Sequence, residues 1–219
     1  MQHPNVVFVF ADQWRYQATG FAGDPNLTGK TPNLDALAAE SLQFENAISG
    51  TPVCCPARAS LMTGQQPLTH GVFLNDVSIR DDAVMLGQAF KAGGYDTGYI
   101  GKWHIGGRGR SAPIARQHRG GFDYWRALEC THTYWKSLYY ADDETTPRQW
   151  EGYDAEAQTR DAQQYIRTHA GADRPFLLML SWGPPHSPYQ DAPPAYLERV
   201  DELGIALRPN VPAEHASRA

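Results

Sequence analysis

An α/β fold wound around a mostly parallel sheet flanked by helices is predicted by two observations. Val6–Ala11 and Phe176–Leu180 are continuous apolar runs, the pattern of strands buried on both faces. Between them, stretches with helical apolar spacing alternate with further strand-like stretches, the order that builds a parallel sheet with helices packed against it. In such sheets ligands bind beyond the carboxyl ends of the strands. Three polar groups leave from such ends here: Asp12, Lys102 with His104, and His186.

The elements follow in order. Asn5–Ala11 is the first strand and stops at Asp12. Thr31-Pro32 offers an N-cap and a proline at the first helical position, and Leu34, Leu37, Ala38 and Ser41 continue at helical spacing. Leu42–Ile48 reads as a short strand. Asp82 caps a second helix, with Leu86, Ala89 and Phe90 on one face and Gly93-Gly94 at its end. Tyr95–Ile100 is the next strand. The region from Gly106 to about Gly152 shows no long period and is expected to be loop-rich. A helix from Asp154 carries Ala162, Tyr165, Ile166 and His169 on one face, and leads through Arg174-Pro175 to the strand at Phe176.

Composition narrows the function classes. At roughly 150 residues per domain, 219 residues make one large domain or one domain and a piece of another. Hydrophobic residues at 42% and charged residues at 20% are ordinary for a globular chain. With 19 Lys and Arg against 24 Asp and Glu, the chain lacks the basic field that nucleic acid binding needs, so no nucleic acid partner is expected. The apolar runs fall far short of the roughly 20 residues that span a bilayer, so no membrane partner is expected either. Residues 1–5 contain no basic signal region, and a cytoplasmic location is expected. The three cysteines, Cys54, Cys55 and Cys130, stand in no disulfide or zinc spacing, and Cys130 reads as a buried structural thiol.

Cys54-Cys55-Pro56-Ala57-Arg58 carries the chemistry. Pro56 suits the first turn of a helix, which places residue 54 at the helix N-terminus, where the backbone dipole favours negative charge. Taken alone, the two cysteines read as small buried hydrophobes. The surrounding residues change that reading. C-x-P-x-R followed by an apolar pair and Thr63-Gly64 resembles the signature of the sulfatase family, whose signature cysteine, here Cys54, is oxidised after synthesis to Cα-formylglycine. Asn5–Gln13 is similar to the family's first strand and metal-binding Asp, and Thr31–Asp35 to its first helix. Gly101–Gly106 is similar to its GKWHxG element, and Ser181–Tyr189 to its PPHxPY loop, all in family order. A P-loop reading of Gly101-Lys102 fails, because Asp96 and Trp103 stand where glycine and Ser or Thr are needed. A papain-type cysteine lacks its local context.

The resemblance implies an alkaline-phosphatase-like fold and hydrolysis of a sulfate ester by the hydrated aldehyde of residue 54: one hydroxyl attacks sulfur, and the other then expels sulfate. The substrate implied is a sulfated small molecule or glycan, and the partner a formylglycine-generating or other sulfatase-maturing enzyme. By the same resemblance Arg58 orients and charge-balances the diol, Lys102 and His104 bind sulfate or aid proton transfer, and His186 contacts sulfate or protonates the leaving oxygen. Asp12, Gln13 and the oxygen of residue 54 would ligate a divalent cation, Ca²⁺, which takes about 6–8 oxygen ligands. Gln13 stands where many members have a second Asp. Nothing after His186 resembles the family's remaining metal ligands, so residues 1–219 read as the N-terminal part of a sulfatase catalytic domain, without its C-terminal ligand region and small subdomain. A phosphonate or phosphodiester hydrolase of the same superfamily and an inactive, anion-binding truncated chain are the other readings. His70, His132, Arg80 and Arg126 read as structural or substrate-rim residues. Cys130–Tyr153, rich in aromatics, reads as a packed surface excursion in preference to a sugar subsite.

Overall fold

The computed structural model describes residues 3–202, 205–206 and 210–212. In chain order the elements are β1 (Val6–Ala11), α1 (Pro32–Ala39), α2 (Cys54–Thr63), α3 (Pro67–His70), α4 (Leu86–Ala92), β2 (Asp96–Lys102), β3 (Tyr124–Leu128), β4 (Leu138–Ala141), β5 (Arg148–Gln149), α5 (Asp154–His169), β6 (Phe176–Trp182) and α6 (Pro194–Glu202). They divide into two compact units, Met1–Gln13 with Ile48–Asp191, and Trp14–Ala47 with Ala192–Ala219.

The first unit holds the sheet, in the order β1-β6-β2-β3-β4-β5. β1, β6, β2 and β3 are parallel, and β4 and β5 turn antiparallel at the far edge. β6, the last strand in sequence, is inserted between the first two, so its loop emerges between theirs. Alternation along β6 separates two cores. Leu177 and Met179 join Tyr99, Trp125, Ala59 and Met62 in a core with α2 and α4, whereas Phe176, Leu178 and Leu180 join Ile100, Ala162 and Tyr165 in one with α5. Tyr165 lies flat against the sheet because Gly98 offers no side chain: a Cβ there would sit 3.1 Å from the tyrosine ring.

In the second unit, Thr31 precedes α1 and Pro32 opens it, as the sequence predicts. The Thr31 hydroxyl does not cap the helix amides; it donates to Asp35 Oδ1 at 2.7 Å and accepts the Gly20 N–H at 2.8 Å. The hydroxyl thereby ties the loop at Gly20 to the helix.

Four expectations are corrected. Leu42–Ile48 forms no strand, and Leu42, Phe44 and Ile48 are exposed: an apolar run alone does not make a strand without a partner edge. α4 starts at Leu86 rather than after Asp82, because the Met85 N–H is taken by Gln88 Oε1 at 2.8 Å. The middle region contains β3, β4 and β5, strands of two to five residues that are too short to show a period. β1 is covered on one face only, where Val6, Phe8 and Phe10 are half-buried: among the described residues it is an edge strand, and Val7 (44%) and Val9 (46%) are exposed on the face where α5 packs over β6 and β2.

Candidate active site

Three neighbouring parallel strands end together, and each delivers polar groups. Asp12 follows β1, Lys102 closes β2 with His104 two residues on, and His186 lies on the loop after β6. α2 supplies the fourth component, with Cys54 as its first residue, in agreement with the placement inferred from Pro56. Val53 at the N-cap makes no side-chain cap hydrogen bond, and Asn75 Oδ1 accepts the Cys55 N–H at 3.0 Å instead.

Asp12 is the hub. Its Oδ2 meets Arg58 Nη2 at 2.9 Å and Lys102 Nζ at 2.8 Å, with all three side chains buried. Burial alone would raise the Asp12 carboxyl; Arg58 and then Lys102 outweigh it and hold the group well below the usual carboxylate range. Its Oδ1 accepts from the Cys54 thiol at 3.4 Å, and Lys102 Nζ lies 3.7 Å from the same sulfur. Two cations facing one carboxylate leave an excess of positive charge beside residue 54, which suits a tetrahedral, anionic ester group. The Cys54 thiol itself is pushed up by burial, against the pull of Lys102. The sulfur is therefore a protonated donor and not a thiolate nucleophile.

Arg58 also locks the strand ends. Its Nη1 donates to the Lys102 carbonyl at 2.6 Å and to Ser181 Oγ at 2.8 Å, and its guanidinium lies 5.1 Å from the centre of the Phe10 ring. The same Lys102 carbonyl accepts from Tyr99 Oη at 2.6 Å and Ser181 Oγ at 2.8 Å. Gly101 makes this convergence possible: its φ is 106°, and a Cβ there would sit 2.0 Å from the Ser181 carbonyl oxygen. Tyr99 and Ser181 are functional supports that the sequence did not reveal, because their roles are contacts between strands and not motif positions.

His104 is buried with a left-handed backbone, φ 54°. Burial, then Lys102 and Arg58, push its imidazole down to about 4, so the ring is neutral at ordinary pH. Its polar contact is with Asp76, whose Oδ1 is 3.4 Å from Nε2. Glu129, just beyond β3, accepts the Gly106 N–H at 3.2 Å, and burial pushes its carboxyl up to about 7. It sits where a Cβ on Gly106 would be, which explains a glycine at that point.

His186 is half-buried. Its Nδ1 donates to the Ser187 carbonyl at 2.8 Å, so in the neutral ring Nε2 is the acceptor. Its ring stacks on His132, with centroids 4.6 Å apart and planes 7° from parallel. His132, which the sequence assigns to structure or the substrate rim, thus lies directly beside His186. His70 is structural, held between Ser60 Oγ at 2.9 Å and the Val72 N–H at 3.1 Å. Arg126 pairs with Asp142 and lies over Tyr124, and Arg80 pairs with Asp82 at the surface. In the aromatic stretch, Tyr134 Oη donates to the Ser187 carbonyl and Tyr139 stacks on Trp150, as a packed excursion requires. Trp135 keeps an exposed face while its Nε1 donates to the Asp191 carbonyl.

Asp12, Cys54 and His186 offer one ligand atom each, all within 4.8 Å of one another. Asp12 Oδ2 is engaged by two cations, which leaves Oδ1 for an ion. Oδ1, an oxygen in place of the residue-54 sulfur, and the amide of exposed Gln13 (φ 55°) are hard donors that fit part of an oxygen-rich shell. The His186 nitrogen fits such an ion poorly and marks the opposite edge of the cluster.

The chain matches the Sulfatase family model over residues 4–209. It is 46% identical to an ulvan-active sulfatase of Formosa agariphila over 99% of this chain and 42% of that protein. A crystal structure described as the sulfatase yidJ of Bacteroides fragilis superposes with a TM-score of 0.85 at 33% identity, covering 96% of this chain and 51% of that one. Another structure, solved with its substrate D-glucosamine-2-N,6-O-disulfate, matches with a TM-score of 0.71 at 26% identity over 84% of this chain and 35% of that one. The chain spans about half the length of the curated relatives it matches. The motif order, the alkaline-phosphatase-like sheet and these similarities agree: the chain belongs to the sulfatase family.

Proposed function

We propose that the protein is a sulfuric ester hydrolase acting on a sulfated carbohydrate, with residue 54, converted to Cα-formylglycine, as the nucleophile. The observation that carries this reading is the placement of residue 54 at the start of α2 between Asp12 and Lys102, with Arg58 behind it. The thiol is unsuited to the task, being held protonated, whereas a hydrated aldehyde would supply one oxygen for attack on sulfur and a second for release of sulfate. Lys102 binds the sulfate oxygens, and Arg58 fixes Asp12 and the residue-54 oxygen. Neutral His104 takes a proton at residue 54, and His186, with His132 stacked behind it, faces the leaving oxygen. Asp12, Gln13 and the residue-54 oxygen would hold one Ca²⁺, which would supply further positive charge to the ester. This reading takes residues 1–219 as the N-terminal part of a catalytic domain whose other metal ligands lie elsewhere, and it requires a sulfatase-maturing enzyme as partner. A sulfated sugar is favoured because a structural relative was solved with a sulfated glucosamine as its substrate.

Two measurements test the proposal. A peptide spanning residue 54 is expected to be lighter than its cysteine form by about 18 Da after expression with a maturing enzyme. Nitrophenyl sulfate is expected to be hydrolysed in preference to the matched phosphate and phosphonate esters, and Cys54→Ala to abolish turnover. A faster rate on a phosphonate diester would replace the sulfatase reading with the phosphonate hydrolase one.

A further inference from the structure

We propose that Asp76, clamped by Arg110, is a positioning residue that fixes the tautomer and orientation of His104; this rests on the sulfatase reading only for its catalytic consequence. Asp76 Oδ1 lies 3.4 Å from His104 Nε2. The carboxylate is itself held by a two-point fork, Arg110 Nε to Oδ1 at 3.1 Å and Nη2 to Oδ2 at 2.8 Å. Such bidentate pairs fix orientation as well as charge.

The segment carrying Asp76 is tied to the nucleophile helix from its other side. The Asp76 N–H donates to Cys55 Sγ at 3.3 Å, and Asn75 Oδ1 accepts the Cys55 N–H at 3.0 Å. Asp76 thus connects the residue next to position 54 with the turn that bears Lys102 and His104. Asp76 (φ 64°) and His104 (φ 54°) both occupy the left-handed region without being glycine. Two residues in a conformation that costs about 1 kcal/mol or more each are facing one another, which is where function rather than folding economy sets the backbone.

The chemistry of the contact is directional. A neutral imidazole carries one proton, and an ionised carboxylate only accepts, so the proton sits on Nε2 and Nδ1 is left as the acceptor. His104 Nδ1 is buried and has no hydrogen-bond partner among the described residues. An unpaired acceptor in the interior is expensive unless something brings it a proton, and a hydroxyl on residue 54 or the substrate is the group that the site has to deprotonate. Without Asp76 the ring is free to place its proton on Nδ1 or to turn, and that acceptor is lost.

The test uses the full chain with ¹⁵N-labelled histidine. Long-range ¹H–¹⁵N correlation is expected to show His104 as a single Nε2–H tautomer in the wild type. Asp76→Gly is the removal variant, because glycine keeps the positive φ without strain; it is expected to yield mixed tautomers. Asp76→Asn, whose amide oxygen still accepts from Nε2–H, is expected to restore the single tautomer, and Arg110→Met to loosen it. Where sulfate ester turnover is present, Asp76→Gly should lower kcat about tenfold to a hundredfold with KM little changed, and Asp76→Asn should recover most of it. A persistent single Nε2–H tautomer in both Asp76→Gly and Arg110→Met overturns the proposal. A tautomer that collapses in Asp76→Gly while the wild type lacks sulfate ester turnover upholds the positioning role and removes the function instead.

Discussion

Arg58 binds three partners from three strands' ends: Asp12 beyond β1, the Lys102 carbonyl at the end of β2, and Ser181 on β6. No other side chain has the fork to do this. Arg58→Lys retains one charge but at most part of the network, and leaves Asp12 underpaired in the interior. A loss of about 3–5 kcal/mol in urea unfolding is expected, together with a fall in kcat of about a hundredfold or more. If the variant unfolds at the wild-type urea midpoint, the buried network is not what holds the strand ends. Asp12, Cys54, Arg58, Lys102, His104 and His186 were legible because each lies in a motif or at a strand end. Tyr99, Ser181, Asp76, Arg110 and Glu129 were not, since each acts through a partner far away in sequence, and nothing in a lone Asp or Tyr announces such a partner. His132 was visible only as an isolated histidine until β6 brought His186 against its ring.

At the scale of elements, hydrophobic runs served well where packing is two-sided. β6 and α5 appear where the sequence places them, because an unbroken apolar strand and a 3.6-residue stripe have few alternatives. β3 to β5 escaped notice: two to five residues per strand give the alternation too little length, and antiparallel pairing depends on the neighbour rather than on the segment. Asp82 failed as a helix start because a glutamine side chain further along took the role. The close approach of β2 and β6 at Gly101 yields a sharp expectation. Gly101→Ala would press a Cβ against the Ser181 carbonyl and force an unfavourable φ, so the strand ends must part. A destabilisation of about 3 kcal/mol or more is expected by chemical denaturation, with loss of activity even in the fraction that folds. Gly171→Ala, where a Cβ meets nothing, should leave both unchanged.

For the molecule as a whole, buried ionisable groups set an unusual response to pH. Burial raises Glu129 from 4.5 to about 7 and Asp154 from 3.8 to about 7. An acid whose folded value is raised holds its proton more tightly when folded, so its contribution to stability is full below the unfolded value and is lost as pH rises through the folded one. His104, lowered from 6.5 to about 4, acts in the opposite sense, with its contribution full above 6.5 and lost as pH falls towards 4. The upward shifts of Glu129 and Asp154 outweigh the downward shift of His104, so the thermal midpoint is expected to fall as pH rises from about 4.5 to about 7. Calorimetry on the double variant Glu129→Gln with Asp154→Asn should find the slope reversed, since His104, with His70 and His132 lowered in the same sense, then outweighs the raised Asp161; an unchanged slope would assign it to other groups. Asp12, held low by its two cations, becomes protonated only in strong acid. β1 ends the sheet with Val7 and Val9 open to solvent, and among the described residues no strand continues beyond it. A β-branched edge with free amides and carbonyls is a template for another copy's strand, and it carries no lysine or proline gatekeeper between residues 6 and 11. Concentrated preparations of the chain are therefore expected to self-associate edge to edge, and Val9→Lys to shift their sedimentation back to the monomer.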